Sequence, residues 1–415
     1  MQRSGGAVIL MQTSLNKELL EKKVTFLTGS AELAASLPEV PAKEAFAEDI
    51  LDFLNEVSKE LLKDRTAKAF SDVVTWGFWI RKASLLRLKA RFAKNKEGIQ
   101  LGKGVAFHIA PSNVPVNFAF SLVSGLLTGN ANVVRVPSKD FPQVSVIVRA
   151  FNTVLEQYPE MRPYVLLVRY GREQDINDQF SSVADTRIIW GGDRTIAEVR
   201  KSPLPPRAGE VTFADRYSFA VIDSDSYLAI ENKEKTAEDF YNDTFFSDQN
   251  ACTSPRIIIW TGSSREQAKQ VFWEKLHALV EKKYTFQPIQ GVNKLTSSYL
   301  IAAALPGCKI EPHDDNLIVR VRVPEVPAFL MDYRDNSGYF YEYDCDDFSA
   351  LRALCNDKKC QTVGYIGGTE ALKKLICSGV KGIDRVVPVG KTMDFDLIWD
   401  GYELPALLTR TVMFQ

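Results

Sequence analysis

Cys252 lies in a sequence setting that suits a nucleophile. It falls in the stretch FFSDQNACTSPR (245–256), among small polar residues and directly before the apolar run IIIW (257–260). A structural cysteine usually lies within an apolar pattern, whereas a reactive one needs a polar, partly open setting that lowers its pKa and admits a substrate. Because small core cysteines are also common, the local sequence leaves both interpretations open.

Acyl chemistry at a cysteine needs few further groups: a thiolate, donors for the developing oxyanion, and a group that receives or reduces the acyl unit. Asn113, in APSNVP (110–115), and the backbone N–H of Cys252 can be those donors if their two loops meet. Asn113 can equally cap the helix predicted from 116. The stretch WGGDR (190–194) follows a strand and opens a helix, and backbone amides at such a helix start can hold a phosphate. A Gly-Gly pair is, however, often only a tight turn. The GxGxxG fingerprint is missing.

Other chemistries find little support. The histidines at 108, 277 and 313 are not grouped with cysteines or carboxylates at ligand spacing, so no metal site is predicted. A GxSxG nucleophile elbow is also absent from the sequence. The six cysteines are scattered without a CxxC pair, which favours a reducing cytoplasm.

Length and charge narrow the class of protein. A chain of 415 residues exceeds the size at which a single core keeps growing, so two lobes are expected. With 51 basic and 52 acidic residues, the chain has no global field to attract nucleic acid. The longest uncharged stretch, 104–134, contains Pro111, Pro115 and several asparagines, so no membrane span is predicted.

The hydrophobic pattern predicts an α/β protein. Apolar steps of three and four predict a helix over 43–63, and a second helix is expected around 79–94. A strand at 104–110, a helix at 116–127 and a strand at 131–136 form a βαβ unit, hence a parallel sheet. The alternation continues along the chain, with a helix at 143–157 and strands at 164–170, 186–190 and 217–223. This series predicts a doubly wound parallel-sheet domain.

A second lobe is expected to follow. The lysine- and glutamate-rich stretch 231–240 is interpreted as the hinge into it, and a strand at 256–260 with a helix at 264–283 makes this lobe α/β as well. The predicted division is residues 1–225 for an N-terminal helical segment and nucleotide-binding domain, 226–385 for the cysteine-bearing domain, and 386–415 for a tail. The tail either returns to the first domain or serves in oligomerisation.

Four stretches, in this order and spacing, resemble the aldehyde dehydrogenase superfamily: IAPSNVP (109–115), GNANVVRVPS (129–138), IIWGGD (188–193) and SDQNACTSPR (247–256). The sequence is more similar still to its acyl-CoA reductase branch, the LuxC-type fatty acid reductases. Support for that branch comes from the stretches YEYDCDD, NDKKCQTVGYIG (356–367) and GIDRVVPVGKTMDFDLIWDGYEL (382–404). The resemblance covers roughly residues 100–410.

The resemblance implies an aldehyde dehydrogenase-like fold and assigns roles to individual residues. It makes Cys252 the nucleophile that takes the acyl group as a thioester, and Asn113 the oxyanion-binding amide. The residues that it places against the nicotinamide nucleotide are Ser112, Arg135, Ser138, Gly191 and Gly192. Arg135 is a candidate partner for the 2′-phosphate of NADPH.

Two positions depart from the superfamily pattern. The cofactor-ribose lysine is replaced by Val136, so the adenosine end must be held differently. The general-base glutamate of the hydrolytic members aligns with about Phe213, which favours reduction of the acyl-enzyme over its hydrolysis. Glu210 and Asp215 lie near enough in sequence to offer a replacement base.

The expected function is therefore the reduction of a medium to long chain fatty acyl-CoA to the aldehyde through a Cys252 thioester, with NADPH as cofactor and NADH as the alternative. The donor is acyl-CoA or an acyl-protein, an acyl-activating enzyme is a possible partner, and a cytoplasmic homo-oligomer is expected. One alternative is a CoA-acylating aldehyde dehydrogenase that acts on short or amino-acid-derived acyl groups. A second is a non-redox acyl carrier that serves an acyl-activating enzyme.

Overall fold

The computed structural model describes residues 15–94, 97–112, 114–312 and 315–414, and it divides into two compact units. The first contains the chain up to Ala214 together with Phe395–Ile398 and the residues from Tyr402 onward. The second contains Asp215–Asp394 and Trp399–Gly401. The predicted boundary was residue 225, but the strand at 217–223 pairs with strands of the second unit and therefore belongs there.

The first unit alternates strands and helices over most of its length. Its strands are β1 (Thr25–Thr28), β2 (Ile99–Gly102), β3 (Val105–Ile109), β4 (Ala131–Arg135), β5 (Val165–Arg169), β6 (Thr186–Trp190) and β7 (Gly209–Phe213). Its helices before the tail are α1 (Lys17–Lys23), α2 (Ala31–Ala35), α3 (Glu48–Lys63), α4 (Ser71–Trp79), α5 (Lys82–Ala93), α6 (Asn117–Leu127), α7 (Pro142–Gln157), α8 (Gln174–Ser182) and α9 (Asp193–Val199).

Six of these strands form one sheet in the order β1-β5-β4-β3-β6-β7, in which β3 to β7 run parallel and β1 is antiparallel to β5. All five residues of β3 are buried, as expected for a strand covered on both faces. This arrangement confirms the predicted doubly wound domain. The predicted helix from 43 begins only at Glu48, because Phe46 has a left-handed φ of 56° that a helix does not accommodate.

The second unit is also an α/β structure, with helices packed on a central sheet. Its strands are β8 (Tyr217–Asp223), β9 (Pro255–Thr261), β10 (Lys309–Ile310), β11 (Val319–Arg322), β12 (Tyr339–Asp344), β13 (Cys360–Ile366) and β14 (Arg385–Pro388). Its helices are α10 (Ser224–Ala229), α11 (Lys233–Asp243), α12 (Arg265–Lys283), α13 (Pro288–Ala304), α14 (Arg352–Asn356) and α15 (Glu370–Cys377). The stretch 231–240, interpreted as a hinge, is mostly the helix α11, which Asn232 caps by accepting a hydrogen bond from the N–H of Lys235.

The seven strands of the second unit form one sheet in the order β10-β11-β12-β9-β8-β13-β14, parallel except for β10. Alternate side chains of β9 enter separate cores on the two faces: Ile257 and Ile259 pack on one face, and Ile258 and Trp260 on the other. Burial on both faces explains the continuous apolar run IIIW after the cysteine loop.

The tail contains β15 (Ile398–Trp399), β16 (Tyr402–Glu403), α16 (Leu404–Leu408) and β17 (Thr409–Val412). Strand β17 pairs antiparallel with β2 of the first unit, while Trp399–Gly401 pack with the second unit. Within the residues described, the helices are all too short or too polar to cross a membrane.

Candidate active site

The loop that carries Cys252 connects α11 to β9 in the second unit. A single 3-10 turn (Phe245–Ser247) is followed by Asp248 and Gln249, whose φ angles of 51° and 58° are both left-handed. Residues other than glycine pay of order 1 to 3 kcal/mol for such a conformation, and they keep it only where the surrounding structure fixes them. Two in succession therefore indicate a loop whose shape is enforced by its contacts.

Gln249 supplies the first set of these contacts. Its side chain is fully buried, and its carboxamide makes four hydrogen bonds. The oxygen accepts from the N–H groups of Gly338 (3.0 Å) and Tyr339 (3.2 Å), and the nitrogen donates to the carbonyls of Pro255 (2.9 Å) and Tyr339 (3.1 Å). Because donors and acceptors are all used, the amide ties the loop to the start of β12.

Arg256, at the start of β9, supplies the second set. Its buried guanidinium donates to the carbonyls of Gln249 and Asp335, each at 2.7 Å, and to the side-chain oxygen of Asn336. Asn336 in turn donates to the side-chain oxygen of Asn250 at 2.7 Å. Burial lowers the pKa of Arg256 to about 10, so it remains charged at neutral pH. The residues before Cys252 are thus held from both sides.

Cys252 is partly exposed, and its carbonyl accepts a hydrogen bond from the Ser218 hydroxyl at 2.7 Å. Burial of the thiol raises its pKa to about 12, and the negative charge of Asp400 contributes to the rise. The side chain of Gln361, the backbone N–H of Cys252 itself and the charge of Arg216 act in the opposite direction. The polar composition of the loop predicted a lowered pKa, but the tertiary surroundings of the sulfur produce a raised one.

A cluster that the sequence analysis did not single out adjoins the thiol. Gln361 donates a hydrogen bond to Asp400, which also lies 3.6 Å from the Arg216 guanidinium. Arg216 forms a shorter ion pair with Asp384, at 2.5 Å. Burial raises the pKa of Asp400 to about 6. Both Gln361 and Asp400 occur in stretches that carry the family resemblance, so those stretches held a signal for them.

The predicted cofactor residues lie at the carboxyl edge of the sheet in the first unit. Ser112 follows β3, Arg135 ends β4 and is followed by Ser138, and Gly191 and Gly192 follow β6. These strands are neighbours in the order β4-β3-β6, so the structure brings all five positions to one edge. The chain order reverses beside β3, and ligands of open α/β sheets bind at such a switch point.

This edge offers mostly open backbone. Gly192 is exposed and caps α9, and a methyl group added to it would meet nothing within 4 Å. At Gly191, an added methyl group would lie 3.0 Å from Thr195, so a side chain is less easily placed there. Arg135 contacts the ring of Tyr170 at 4.7 Å and donates to the carbonyls of Tyr170 and Gly171, so part of its donor capacity is already used.

The two departures from the superfamily pattern are both structural residues of the first unit. Val136, in the place of the ribose lysine, is buried and its N–H bonds to Val168. Phe213, in the place of the general-base glutamate, stacks on Trp190 with ring centroids 3.7 Å apart. Glu210 is held by Arg187 at 2.5 Å and by Arg200 at 2.7 Å.

The remaining candidate residues either lie outside the described residues or are held by structural partners. Asn113 and His313 lie outside the described residues, so the oxyanion role of Asn113 stays a prediction. Asp215, the other replacement base considered, pairs with Arg334 at 2.5 Å in the second unit. His108 is buried between Ser121 (2.7 Å) and Asn132 (3.1 Å), and burial lowers its pKa to about 4. In the described ranges, no three His, Cys, Asp or Glu residues are grouped to hold a metal.

Comparison with solved structures defines the fold as that of the aldehyde dehydrogenases. Aldehyde dehydrogenase 21 from Physcomitrella patens superposes with a TM-score of 0.64 at 13% identity, over 92% of this chain and 88% of that one. A 1-pyrroline-5-carboxylate dehydrogenase from Thermus, solved with bound NAD, gives 0.59 at 14% identity, over 92% and 85%.

Sequence comparison identifies the family. The model of the family described as acyl-CoA reductase (LuxC) matches residues 80–300, more than half of the chain, and the protein therefore belongs to that family. A long-chain acyl-protein thioester reductase from Photorhabdus luminescens is 26% identical over 294 residues. The match covers 69% of this chain and 58% of that protein, so the chain spans less than two thirds of its relative's length.

Proposed function

We propose that this protein reduces a long-chain fatty acyl group, received from a thioester donor, to the aldehyde through an acyl-thioester on Cys252. The observation that carries the proposal is the cysteine loop, in which two left-handed residues and the buried contacts of Gln249 and Arg256 hold the partly exposed residue Cys252. The Photorhabdus relative is a long-chain acyl-protein thioester reductase, which supports a long-chain substrate. It also favours an acyl-protein over acyl-CoA as the donor.

The proposed reaction has two stages at the sulfur. Cys252 loses its proton as its sulfur attacks the acyl carbonyl, a new S–C bond forms, the bond between the acyl carbon and the carrier sulfur breaks, and the carrier leaves as a thiol that has taken up a proton. Addition of a hydride to the thioester carbon then gives a tetrahedral oxyanion, which collapses to the aldehyde and releases the Cys252 thiolate. Backbone and amide donors stabilise both tetrahedral species, and Asn113 with the Cys252 N–H are the proposed pair.

The surroundings of the alternative bases support an aldehyde product. Hydrolysis of the acyl-enzyme would need a carboxylate free to activate water. Glu210 is bound by two arginines and Asp215 by a third, while Phe213 offers only an apolar ring. None of these three residues is therefore free to act as the base, which favours reduction of the thioester over its hydrolysis.

A nicotinamide nucleotide fits the carboxyl edge of the first sheet and, when bound there, would supply the hydride. The open backbone at Gly192 and the neighbouring Gly191 would accept its phosphate groups, with Ser112 and Ser138 on the adjacent strand ends. Arg135 would favour NADPH by pairing with the 2′-phosphate.

We also propose that the protein forms a homo-oligomer through the two-stranded sheet of β2 and β17. Apolar side chains remain exposed on or beside this sheet: Ile99 at 40%, Met413 at 50% and Phe414 at 76%. The outer edge of β2 is bonded to residues 43–45, whereas β17 pairs only with β2 among the described strands, so β17 and the apolar residues beside it are suited to pairing with a second copy.

The test is an assay of the purified protein with NADPH and either acyl-CoA or an acylated carrier protein, with short to long chains, in which the aldehyde is trapped and quantified. We expect NADPH oxidation in step with aldehyde formation, greatest for long chains. Acyl label taken up without NADPH oxidation would instead support a non-redox acyl carrier. If aldehyde is consumed in the presence of CoA faster than the acyl group is reduced, the result would instead support a CoA-acylating aldehyde dehydrogenase.

Substitution of the nucleophile gives the matched control. Cys252→Ser should abolish both acyl labelling and aldehyde formation, because the alkoxide required for attack is not available at neutral pH. Cys377→Ser, at an exposed cysteine of the same unit, should leave both unchanged. Normal aldehyde formation by Cys252→Ser would overturn the proposal.

A further inference from the structure

Helix α13 of the second unit presents a hydrophobic face to solvent. The helix contains one charged residue, Lys294, and the side chain of this lysine is buried. Its exposed side chains are therefore all uncharged. Single exposed hydrophobic residues are ordinary, but a contiguous group of them usually marks an interaction site. The large hydrophobic residues that the helix exposes are Ile289 (59%), Val292 (59%), Leu295 (46%), Tyr299 (63%) and Leu300 (54%).

The opposite face of α13 is fixed in place by polar contacts. The buried Lys294 ammonium donates to the carbonyl of Ser337 at 2.8 Å, and the Ser297 hydroxyl donates to the Asp335 carboxylate at 2.9 Å. Ile301 is fully buried in a core of the second unit. Because these contacts hold one side of the helix, α13 cannot rotate to bury its hydrophobic side. That side stays available to another molecule.

The exposed face has the spacing by which helices pack on one another. Its central residues follow at steps of three, four, three and four, which is the repeat of coiled-coil contacts. Leu295 and Leu300 lie beside them, at positions where coiled coils commonly carry charged residues that select a partner. The pattern therefore predicts an equally uncharged partner helix. The central residues, which we call the α13 seam, are Ile289, Val292, Thr296, Tyr299 and Ala303, and all five are exposed.

The size of the face suits a partner of the same kind. Together with Phe329 of the adjoining 3-10 turn (Ala328–Tyr333), the exposed side chains present roughly 500 Å² of apolar surface, near the upper limit for a monomer. Two such faces would bury about 1,000 Å² before any polar rim is added, which approaches the area of a stable interface. Interfaces between copies of one chain are also the more apolar class.

We propose that the α13 seam packs against the α13 seam of a second copy of this chain, about a two-fold axis that passes beside Thr296. A two-fold contact uses the same surface on both copies. Helix α13 meets this requirement because its exposed side chains carry no charge that would repel the same helix of the second copy. Thr296 is the middle residue of the seam, so it would lie closest to the axis.

This contact is separate from the one proposed for β2 and β17, since α13 belongs to the second unit and those strands belong to the first. It does not depend on the reaction proposed for Cys252. Two different two-fold contacts on one chain close into a tetramer. The combination of both contacts would therefore give an assembly of four chains.

The test is the molar mass of the full chain, measured by sedimentation equilibrium over a range of concentrations for the wild type and for the double variant Val292→Glu, Tyr299→Glu. Both side chains are more than half exposed, so the fold should be kept, which thermal unfolding checks. We expect the mass of the variant to be half that of the wild type. The dissociation constant of the contact should rise by at least about 100-fold, because like charges would meet in the interface.

Leu86→Glu is the matched control. Leu86 is 43% exposed on helix α5 of the first unit, between Lys82 and Arg87, and it lies outside the seam. Its substitution adds the same charge and should leave the mass unchanged. The double variant Met413→Glu, Phe414→Glu tests the contact of β2 and β17 on its own. If only this variant kept the wild-type mass, the α13 contact would stand and the β2–β17 contact would be disproved.

A covalent link checks the place of the contact. Oxidation of Thr296→Cys with diamide should join two copies, whereas the wild type, with its exposed Cys377, should stay unlinked. A wild type that is a single chain at every concentration would overturn the inference, as would an assembled Thr296→Cys protein that forms no link.

Other occupants of the face are separate outcomes of the same comparison. If the double variant at Val292 and Tyr299 keeps the wild-type mass, the inference is wrong. Loss of binding to an acylated carrier protein in that variant would then assign the face to a donor protein. Loss of binding to phosphatidylcholine vesicles would assign it to lipid.

Discussion

At the carboxyl edge of the first sheet, Gly191, Gly192 and Ser112 present backbone and small side chains, and a methyl group at Gly192 would meet nothing. The loop that carries Cys252 differs, because the buried side chains of Gln249 and Arg256 hold it in place through hydrogen bonds. The proposed cofactor region is thus formed by open space and backbone groups, whereas the proposed nucleophile, Cys252, is held by buried side-chain hydrogen bonds. Substitutions in the two regions should therefore fail in different ways.

The largest effect is expected from substitution of Arg256, whose hydrogen bonds hold the loop that carries Cys252. Arg256→Met leaves the acceptors on buried Gln249 and on half-buried Asp335 and Asn336 without this donor, which should cost about 3 to 5 kcal/mol of stability at the usual cost of each unsatisfied group. Acyl labelling of Cys252 should fall by about 100-fold or more, because a small displacement of a reacting group is expensive. Thermal unfolding and labelling with an acyl thioester measure the two effects.

Arg352 provides the control for Arg256, because it is exposed and its guanidinium donates to the hydroxyl and the carbonyl of Ser378. Arg352→Met should change neither the unfolding temperature by more than a degree or two nor the labelling of Cys252. Equal losses in the two variants would show that the cysteine loop is no more dependent on its arginine than the surface is.

The next largest effect is expected on the stability of the folded protein, through the buried carboxylate of Asp400. Burial raises the pKa of Asp400 from an ordinary 3.8 to about 6, so the folded state holds its proton more tightly than the unfolded state does. This contribution to stability is present below pH 3.8 and is lost as the pH rises through 6. Asp400→Asn should therefore gain stability relative to the wild type between pH 4 and pH 7.5, by at most about 3 kcal/mol.

The measurement is the difference in unfolding free energy or midpoint between the two proteins across that pH range. Asp243, whose pKa burial also raises to about 6, contributes equally to both proteins and cancels from the difference. A difference that stays constant with pH would mean that Asp400 is not held at a raised pKa, and the contrast between the buried cluster near Cys252 and the open edge of the first sheet would weaken.

A smaller effect is expected at the open edge. Gly192→Asp places a negative charge where phosphate groups are proposed to bind, while the free space around Gly192 leaves folding intact. NADPH affinity should fall by about tenfold, the equivalent of one like charge near the site at a protein surface. Alkylation of Cys252 should not change. Fluorescence titration with NADPH measures the affinity.

Gly368→Asp is the matched control, because Gly368 is also exposed, precedes a helix and has nothing within 4 Å of an added methyl group. NADPH binding should be unaffected there. A loss of affinity in both variants, or in neither, would contradict the assignment of the Gly191–Gly192 edge as the nucleotide site.

The smallest effect is expected for the choice between cofactors. Arg135→Ala should reduce the preference for NADPH over NADH several-fold and leave NADH turnover unchanged, since the 2′-phosphate is the group that it would pair with. The effect is small because the guanidinium already donates to the carbonyls of Tyr170 and Gly171. The ratio of kcat/KM values is the readout. An equal loss with both cofactors would assign Arg135 to the support of the loop after β5.

Much of the fold followed from the sequence because its strands and helices are locally encoded. Strands β3, β4 and β6 and helices α6 and α7 fall within a residue or so of their predicted bounds, since apolar runs and periodic segments persist in any tertiary setting. The stretch 231–240 was misinterpreted because a charged amphipathic helix has the same composition as a linker. The positions that the resemblance assigns to the cofactor share one edge of the sheet, because residues that end neighbouring parallel strands must do so, and their role in binding stays a prediction.

Only the tertiary structure determined the surroundings of the Cys252 thiol. The sequence by itself determined that Cys252 lies in a polar loop ahead of a buried strand, and it determined the family through its motifs. It did not determine the direction of the pKa shift, because Gln361 and Asp400 reach the sulfur from 109 and 148 positions along the chain. A shift in pKa depends on distances between charges and on burial, and both exist only once the sheet of the second unit has formed around the loop.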